Sequence, residues 1–366
     1  MSLELFLRTS QAGGDHWGLM VKSALTALGP LPEDLNFGLV SITMPMVEHL
    51  SSVMTFLRET TPVRNWSIAV GAGVSGPIGV VRDRPAIALM VARLPANAFR
   101  LVESWKEPRR GQFLDQHKAW LAGQDMPVGL MQGDAFDPEL TEMIEDMAGS
   151  THSFLVGGVA AGQPGGLSGA LLGAPLTVVA GLTQGCQKLP GTFRVSEVTD
   201  EILMQLDGKP ALEALKSAVG DDIAQSLHEA AGVVHLGLPV SGTDRSDYLV
   251  RTLLGIDPER GWLAVGSRLE VGDQVIFVRR DNDSARKDMH RMLADVAGRV
   301  MGRTILGGVY VSCVARGAEM FGTDEAETDM ITEALGEFPL IGVISQGEFC
   351  HDRLYGYTGV LALILS

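Results

Sequence analysis

Apolar runs alternate with amphipathic stretches along most of the chain, and the alternation predicts strand–helix–strand units. Residues 35–43 (LNFGLVSIT) read as a strand. Residues 46–58 follow with helical spacing at Met46, Leu50, Val53, Met54 and Leu57. Strands are expected at 66–72 and from Pro85. The mixed, charged stretch 99–125 reads as a surface excursion. A helix with acidic residues in its first turn is expected from Asp137, where the helix dipole favours them. Residues 153–187 carry no charge but hold Pro164, Pro175 and many glycines. They read as two buried strands (SFLVGGV and APLTVVAGL) around a Gly-rich loop, not as a membrane span. Further on, a strand or helix near Ile202 turns at Asp207-Gly208, and a helix starts at Pro210. Short strands occupy 247–280, followed by an amphipathic helix (DSARKDMHRMLADVAGRV). A strand (GVYVSCVARG), a helix over 323–335 with Ala326, Met330, Ile331 and Ala334 along one side, and LIGVISQGE follow.

One frame recurs in the closing strands: two apolar residues, Gly, four residues, Gly. It stands at Gly71–Gly76, Gly157–Gly162 and Gly342–Gly347, and more loosely at Gly237–Gly242. A glycine inside a strand lets another backbone or a ligand approach closely. The second glycine can take φ > 0 where the strand leaves the sheet. Open α/β sheets bind ligands beyond the carboxyl ends of their strands, so the second glycines are expected at related sheet edges. The alternative is tight helix–sheet packing with no ligand. No frame is a Walker loop or a dinucleotide fingerprint.

At 366 residues, with 46% hydrophobic and 20% charged residues, two globular domains are the natural expectation. The clearest seam lies near Gly220–Gly232, which divides the chain into 30–230 and 231–366. A net charge of −15 argues against nucleic-acid binding. Cys186, Cys313 and Cys350 are an odd set without paired spacing, so free thiols in a reducing, cytoplasmic compartment are expected. The opening residues lack a signal-peptide core. The eight histidines show no metal spacing, and no metal site is expected.

Several phrases in order are similar to the FIST family, a two-part sensory module: QGCQKLPGTFRV, ILMQLDGKPALEAL, DYLVRTLLGIDPERGWLAVG, VGDQVIFVRRDNDSARKDM, CVARG and LIGVISQGE. The resemblance runs from about Leu35 to Leu363. It implies an α/β fold, with mixed α+β as the variant, built as two intertwined halves of helix-layered mixed sheets. The halves would be a FIST N-type domain (30–230) and a FIST C-type domain (231–366). It also implies a sensory or signal-transduction role, a small-molecule ligand for which amino acids are proposed, and a separate signalling protein as partner, with no membrane. A haem-binding nitric oxide sensor and an enzyme using the same Gly-lined pocket are the alternatives; haem is the one cofactor considered. Two departures stand out. Gly71-Ala72-Gly73 replaces the family's Gly-Cys-Ser/Thr, and Tyr355-Gly356-Tyr357-Thr358 lacks the Asn that precedes Thr in relatives.

The expected ligand contacts are Arg316 and Glu348, beyond the ends of the last two strands. If those strands are parallel, the pair emerges at one edge and can grip a zwitterion, or each other. Arg251, Gly157 and Gly158 join them, with Gly71, Gly73, Ser75, Cys186 and Thr358. Arg251 is expected to pair with Asp247 or Glu348, or to face the pocket. Cys350-His351 is no dyad, because neighbours on a strand face opposite ways. No residue can be given a catalytic role, and an enzyme is not favoured.

Overall fold

The structure, a computed structural model, describes residues 6–220, 232–240 and 248–366. Among them are eight α-helices and 25 strands in several mixed sheets, none closed into a barrel, so the fold is α/β with mixed sheets. The chain divides into two compact units. One comprises residues 1–183 with 290–366, the other residues 184–289. The first half of the sequence therefore shares a body with its last quarter. Most of the expected seam between Gly220 and Gly232, residues 221–231, lies outside those described.

The first unit repeats one topology three times: edge strand, helix, central strand, helix, parallel strand, returning strand. The first passage runs through Phe6–Gly13, Trp17–Leu28, Phe37–Thr43, Leu50–Thr60, Asn65–Gly71 and Ala86–Arg93. The second runs through Phe99–Val102, Arg109–Ala122, Val128–Asp134, Leu140–Thr151, Phe154–Ala160 and Leu167–Leu172. The third runs through Thr177–Thr183, Asn282–Val300, Ile305–Cys313, Ala326–Leu335, Leu340–Ser345 and Gly359–Leu365, with the second unit inserted after its edge strand. In each, the edge strand pairs antiparallel with the returning strand. The returning strand pairs antiparallel with the central one, and the central strand pairs parallel with the next.

Two hairpins cross between repeats. Gly73–Gly76 with Gly79–Arg82 leaves the first repeat and pairs onto Leu340–Ser345. Gly347–Cys350 with Arg353–Tyr355 leaves the third and pairs onto Phe154–Ala160. The central strands are largely buried, polar positions such as Ser41, Gln132 and Ser312 included. All seven residues of Phe37–Thr43 are buried. Helix Leu140–Thr151 buries Met143, Ile144 and Met147, and ends on His152 in the left-handed conformation.

The recurring glycines of the first unit lie on the same strand of each repeat, the one parallel to the central strand, though at different depths. Gly71 ends its strand, Gly157 is the fourth residue of its own and Gly342 the third. Each is a point of close backbone approach. A Cβ on Gly157 would lie 1.8 Å from Met131 O, on Gly342 2.4 Å from Tyr310 O, and on Gly71 2.6 Å from Ile344 O. The second glycines behave less uniformly. Gly162 has φ 82°, whereas Gly76 and Gly347 do not adopt positive φ. Gly347 pairs with Val159, beside Gly162. Gly76 lies at the other end of its sheet, because Gly73–Gly76 runs antiparallel to Leu340–Ser345 and Ser75 sits opposite Gly342. The expectation of related edges holds for Gly162 and Gly347 and fails for Gly76; Gly242 lies outside the described residues.

Three further readings change. The stretch 99–125 holds strand Phe99–Val102 and helix Arg109–Ala122. The helix buries only Phe113, so it carries little amphipathic signal. Residues 153–187 hold three longer strands rather than two, with Leu167–Leu172 between glycine turns. Before residue 35 the chain contributes strand Phe6–Gly13 and helix Trp17–Leu28, whose start is capped by His16 Nδ1 accepting from Gly18 N–H and Leu19 N–H.

The second unit has its own core, including Leu203, Leu263 and Phe277. Its helix Ala211–Val219 follows Pro210, and the preceding turn uses Asp207 and Gly208 at positive φ.

Candidate functional site

Strands Ile305–Cys313 and Leu340–Ser345 are parallel, with Cys313 opposite Ser345. Arg316 and Glu348 each follow three residues later, so both emerge at one sheet edge. They do not pair with each other. Arg316 is buried, and its Nε donates to Glu327 Oε1 at 2.7 Å, with Nη2 2.6 Å from the same oxygen. Nη1 donates to Tyr357 O at 3.2 Å, and the guanidinium lies 5.0 Å from the centre of the Phe321 ring. Glu327 comes from the crossover helix. Tyr310 Oη donates to its Oε1 at 2.6 Å and Ser312 Oγ to its Oε2 at 2.7 Å. Gly359 lets the Tyr310 hydroxyl pass, since a Cβ there would lie 2.2 Å from it.

Glu348 is fully buried. Ser345 Oγ donates to Oε1 at 2.5 Å, while Thr358 N–H and Oγ1 donate to Oε2 at 3.1 and 2.7 Å. Gly158 makes this possible. It sits opposite Glu348, and a Cβ there would lie 2.7 Å from Ser345 Cβ. The loop from Tyr355 to Thr358 therefore touches both groups: Tyr357 O accepts from Arg316, and Thr358 holds Glu348. Tyr357 is held at φ 67°, a conformation that non-glycine residues rarely adopt.

Burial pushes the Glu348 carboxyl up to about 7, against the opposing hydrogen bonds and the Arg316 charge. Burial and the neighbouring Glu348 raise the Cys313 thiol to about 11. Burial and the Glu327 charge hold the Tyr310 phenol well above its ordinary value. At neutral pH the cluster thus holds a cation, its counter-charge and a carboxyl poised between two protonation states.

Of the residues singled out from the sequence, Arg316, Glu348, Thr358, Gly157 and Gly158 come together here. Gly73 and Ser75 lie on the adjoining strand, opposite Ile344 and Gly342, and Ala72 N–H, after Gly71, donates to Ile344 O at 2.8 Å. Cys186 and Arg251 belong to the second unit. Cys186 is buried and its carbonyl accepts from Tyr248 Oη at 3.2 Å. Arg251 donates to Val250 O at 3.1 Å, and burial lowers its pKa. Asp247, its suggested partner, lies outside the described residues.

Glu327, Tyr310, Ser312 and Ser345 escaped sequence reasoning. Glu327 had a signal. It stands three and four residues before Met330 and Ile331, so it shares the buried face of its helix, and a lone charge on an apolar face calls for a partner. Among the described residues, no cluster of His, Cys, Asp and Glu could hold a metal ion, and no helix is long and apolar enough to cross a membrane.

Residues 36–209 match the FIST N domain and residues 211–351 the FIST C domain. The chain belongs to the FIST family. FIST domains are sensory, signal-transduction domains. The boundary between the two FIST segments, at 209/211, falls inside the second compact unit. Relatives of this FIST protein include an uncharacterised protein of Mycobacterium tuberculosis, 27% identical over 326 residues that cover 81% of this chain and 82% of that one. An uncharacterised protein of Mycobacterium bovis is 27% identical over 317 residues, covering 78% and 79%. A crystal structure of cyanuric acid hydrolase from A. caulinodans aligns over 99% of both chains at 9% identity and a TM-score of 0.31, a likeness that carries no argument about fold or activity.

Proposed function

We propose that this FIST protein is a small-ligand-binding sensor whose ligand presents an amine, an amino acid fitting best, to the Glu348 carboxyl beneath the loop from Tyr355 to Thr358. The observation that carries the reading is the state of Glu348. A buried carboxyl titrating near neutrality is common at functional sites. A cationic amine at that carboxyl stabilises its ionised form, so binding near pH 7 expels a proton. The loop is the route of access. It contacts both Arg316 and Glu348 and holds Tyr357 in a strained conformation, so its opening relieves strain while uncovering both groups. Opening frees Arg316 Nη1 from Tyr357 O for a ligand carboxylate, while Nε and Nη2 stay on Glu327. Three buried cysteines outside any disulfide support a reducing, cytoplasmic setting.

The test is calorimetric titration with amino acids at pH 7 in two buffers of different ionisation enthalpy. The reading expects binding whose apparent enthalpy differs between buffers, through proton release. Glu348→Gln should weaken that binding by roughly 1–3 kcal/mol, the scale of a charge-assisted hydrogen bond. Unchanged affinity in a folded Glu348→Gln chain would remove Glu348 from the site.

A further inference from the structure

The three topological repeats differ in how their first helix sits. In the first repeat, helix Trp17–Leu28 buries Met20, Val21, Ala24 and Leu28. Its counterpart in the second repeat, helix Arg109–Ala122, buries only Phe113. A cleft of about 500 Å³ lies between this helix and strand Phe99–Val102. Its walls include Phe99, Arg100, Gln112, Phe113, Gln116 and His117. The helix residues among these recur at three- and four-residue spacing, so one helix face is turned onto the cleft.

Arg100 is one of the two arginines that line that cleft. Its guanidinium lies 4.8 Å from the centre of the Trp120 ring, and Nη1 donates to the carbonyl of its neighbour Phe99 at 2.6 Å. Among the described residues, no carboxylate lies within ion-pairing distance of it. Partial burial lowers its pKa. The other cation at the rim, Arg109, is spent on Glu103 at 3.0 Å. Two arginines against one glutamate leave this cleft net positive in a chain of net charge −15. His117 is held neutral at pH 7, since burial and the Arg100 charge both lower its pKa. The largely buried rings of Phe99 and Phe113, two side-chain amides and a guanidinium without a carboxylate partner thus meet at one cleft.

We propose that this cleft binds a small organic carboxylate with a flat apolar body, its carboxylate held by Arg100 and its body lying between Phe99 and Phe113. The site is separate from the Glu348 cluster and stands whether or not the amine reading holds. A planar guanidinium engages a carboxylate through two parallel hydrogen bonds, which an uncharged isostere cannot match. The aromatic rings supply apolar contact to a ligand body of benzoate size.

Benzoate and its uncharged isostere benzamide are the probes, read by ligand-observed NMR and calorimetry on the full chain. Saturable benzoate binding is expected, with benzamide at least about tenfold weaker. Arg100→Gln should weaken benzoate by a similar factor, Arg100→Lys by less, and a thermal melt of each variant establishes that it folds. Because the benzoate–benzamide comparison uses the unaltered chain, it decides the matter even if Arg100 variants do not fold. Equal binding of the two probes, unchanged benzoate affinity in folded Arg100→Gln, or no saturable benzoate binding at millimolar concentration would each overturn the proposal.

Discussion

Arg316 and Glu327 share a buried ion pair, Nε to Oε1 at 2.7 Å, so Arg316 is tied to the crossover helix and not to Glu348. Removing one partner strands a buried charge. Glu327→Ala should cost roughly 3–5 kcal/mol in urea denaturation at pH 7. Arg316→Ala should cost a similar amount, and the double variant much less than the sum. Strict additivity of the two losses would show that the pair does not act as one unit.

Glu348 makes stability depend on pH in a defined direction. Its carboxyl is raised to about 7 from an ordinary value of 4.5, so the folded chain binds this proton more tightly than the unfolded one. The contribution is fully present below pH 4.5 and is lost as pH rises through about 7. From pH 5 to pH 8 the unliganded chain should lose up to about 3 kcal/mol through this group. Glu348→Gln should abolish that portion of the slope. The comparison is urea denaturation of both chains at a series of pH values, and parallel curves would contradict the assignment.

Glycine substitutions should separate close packing from open helix. Gly157→Ala forces a Cβ to 1.8 Å from a backbone carbonyl, so a loss of about 3 kcal/mol or failure to fold is expected. Gly149 lies in a helix with nothing within 4 Å of its Cβ position, and Gly149→Ala should stabilise by about 0.5–1 kcal/mol. Thermal melts of the two variants should move in opposite directions.

All three cysteines are buried thiols outside any disulfide, and Cys313 is pushed up to about 11. A disulfide-forming thiol reagent at pH 8 should label the native chain slowly and three thiols at once after denaturation without reductant. A count of one would reveal a disulfide.

The parallel pairing of Ile305–Cys313 with Leu340–Ser345 was legible, because a helix pattern separates two apolar runs of strand length. So was the arrival of Arg316 and Glu348 at one edge, which follows from that pairing. Their partners were not. Glu327 could be recognised as a charge on an apolar helix face, but only the crossover geometry decides that Arg316 reaches it first. Ser345 reaches Glu348 because Gly158, nearly two hundred residues earlier in the chain, leaves room, a relation no local spacing encodes. The threefold repetition was hidden for a similar reason. Its closing strands share a glycine, but at different depths, and its third copy is interrupted by the 184–289 unit. Helix Arg109–Ala122 escaped because one buried residue leaves no apolar stripe.

The account rests on a ligand held at Glu348, and native mass spectrometry of the freshly purified chain beside Glu348→Gln tests it most directly. The account predicts a small-molecule adduct on the unaltered chain that is absent or strongly reduced in the folded variant. Bare chain in both samples, or the same adduct retained by both, would contradict it.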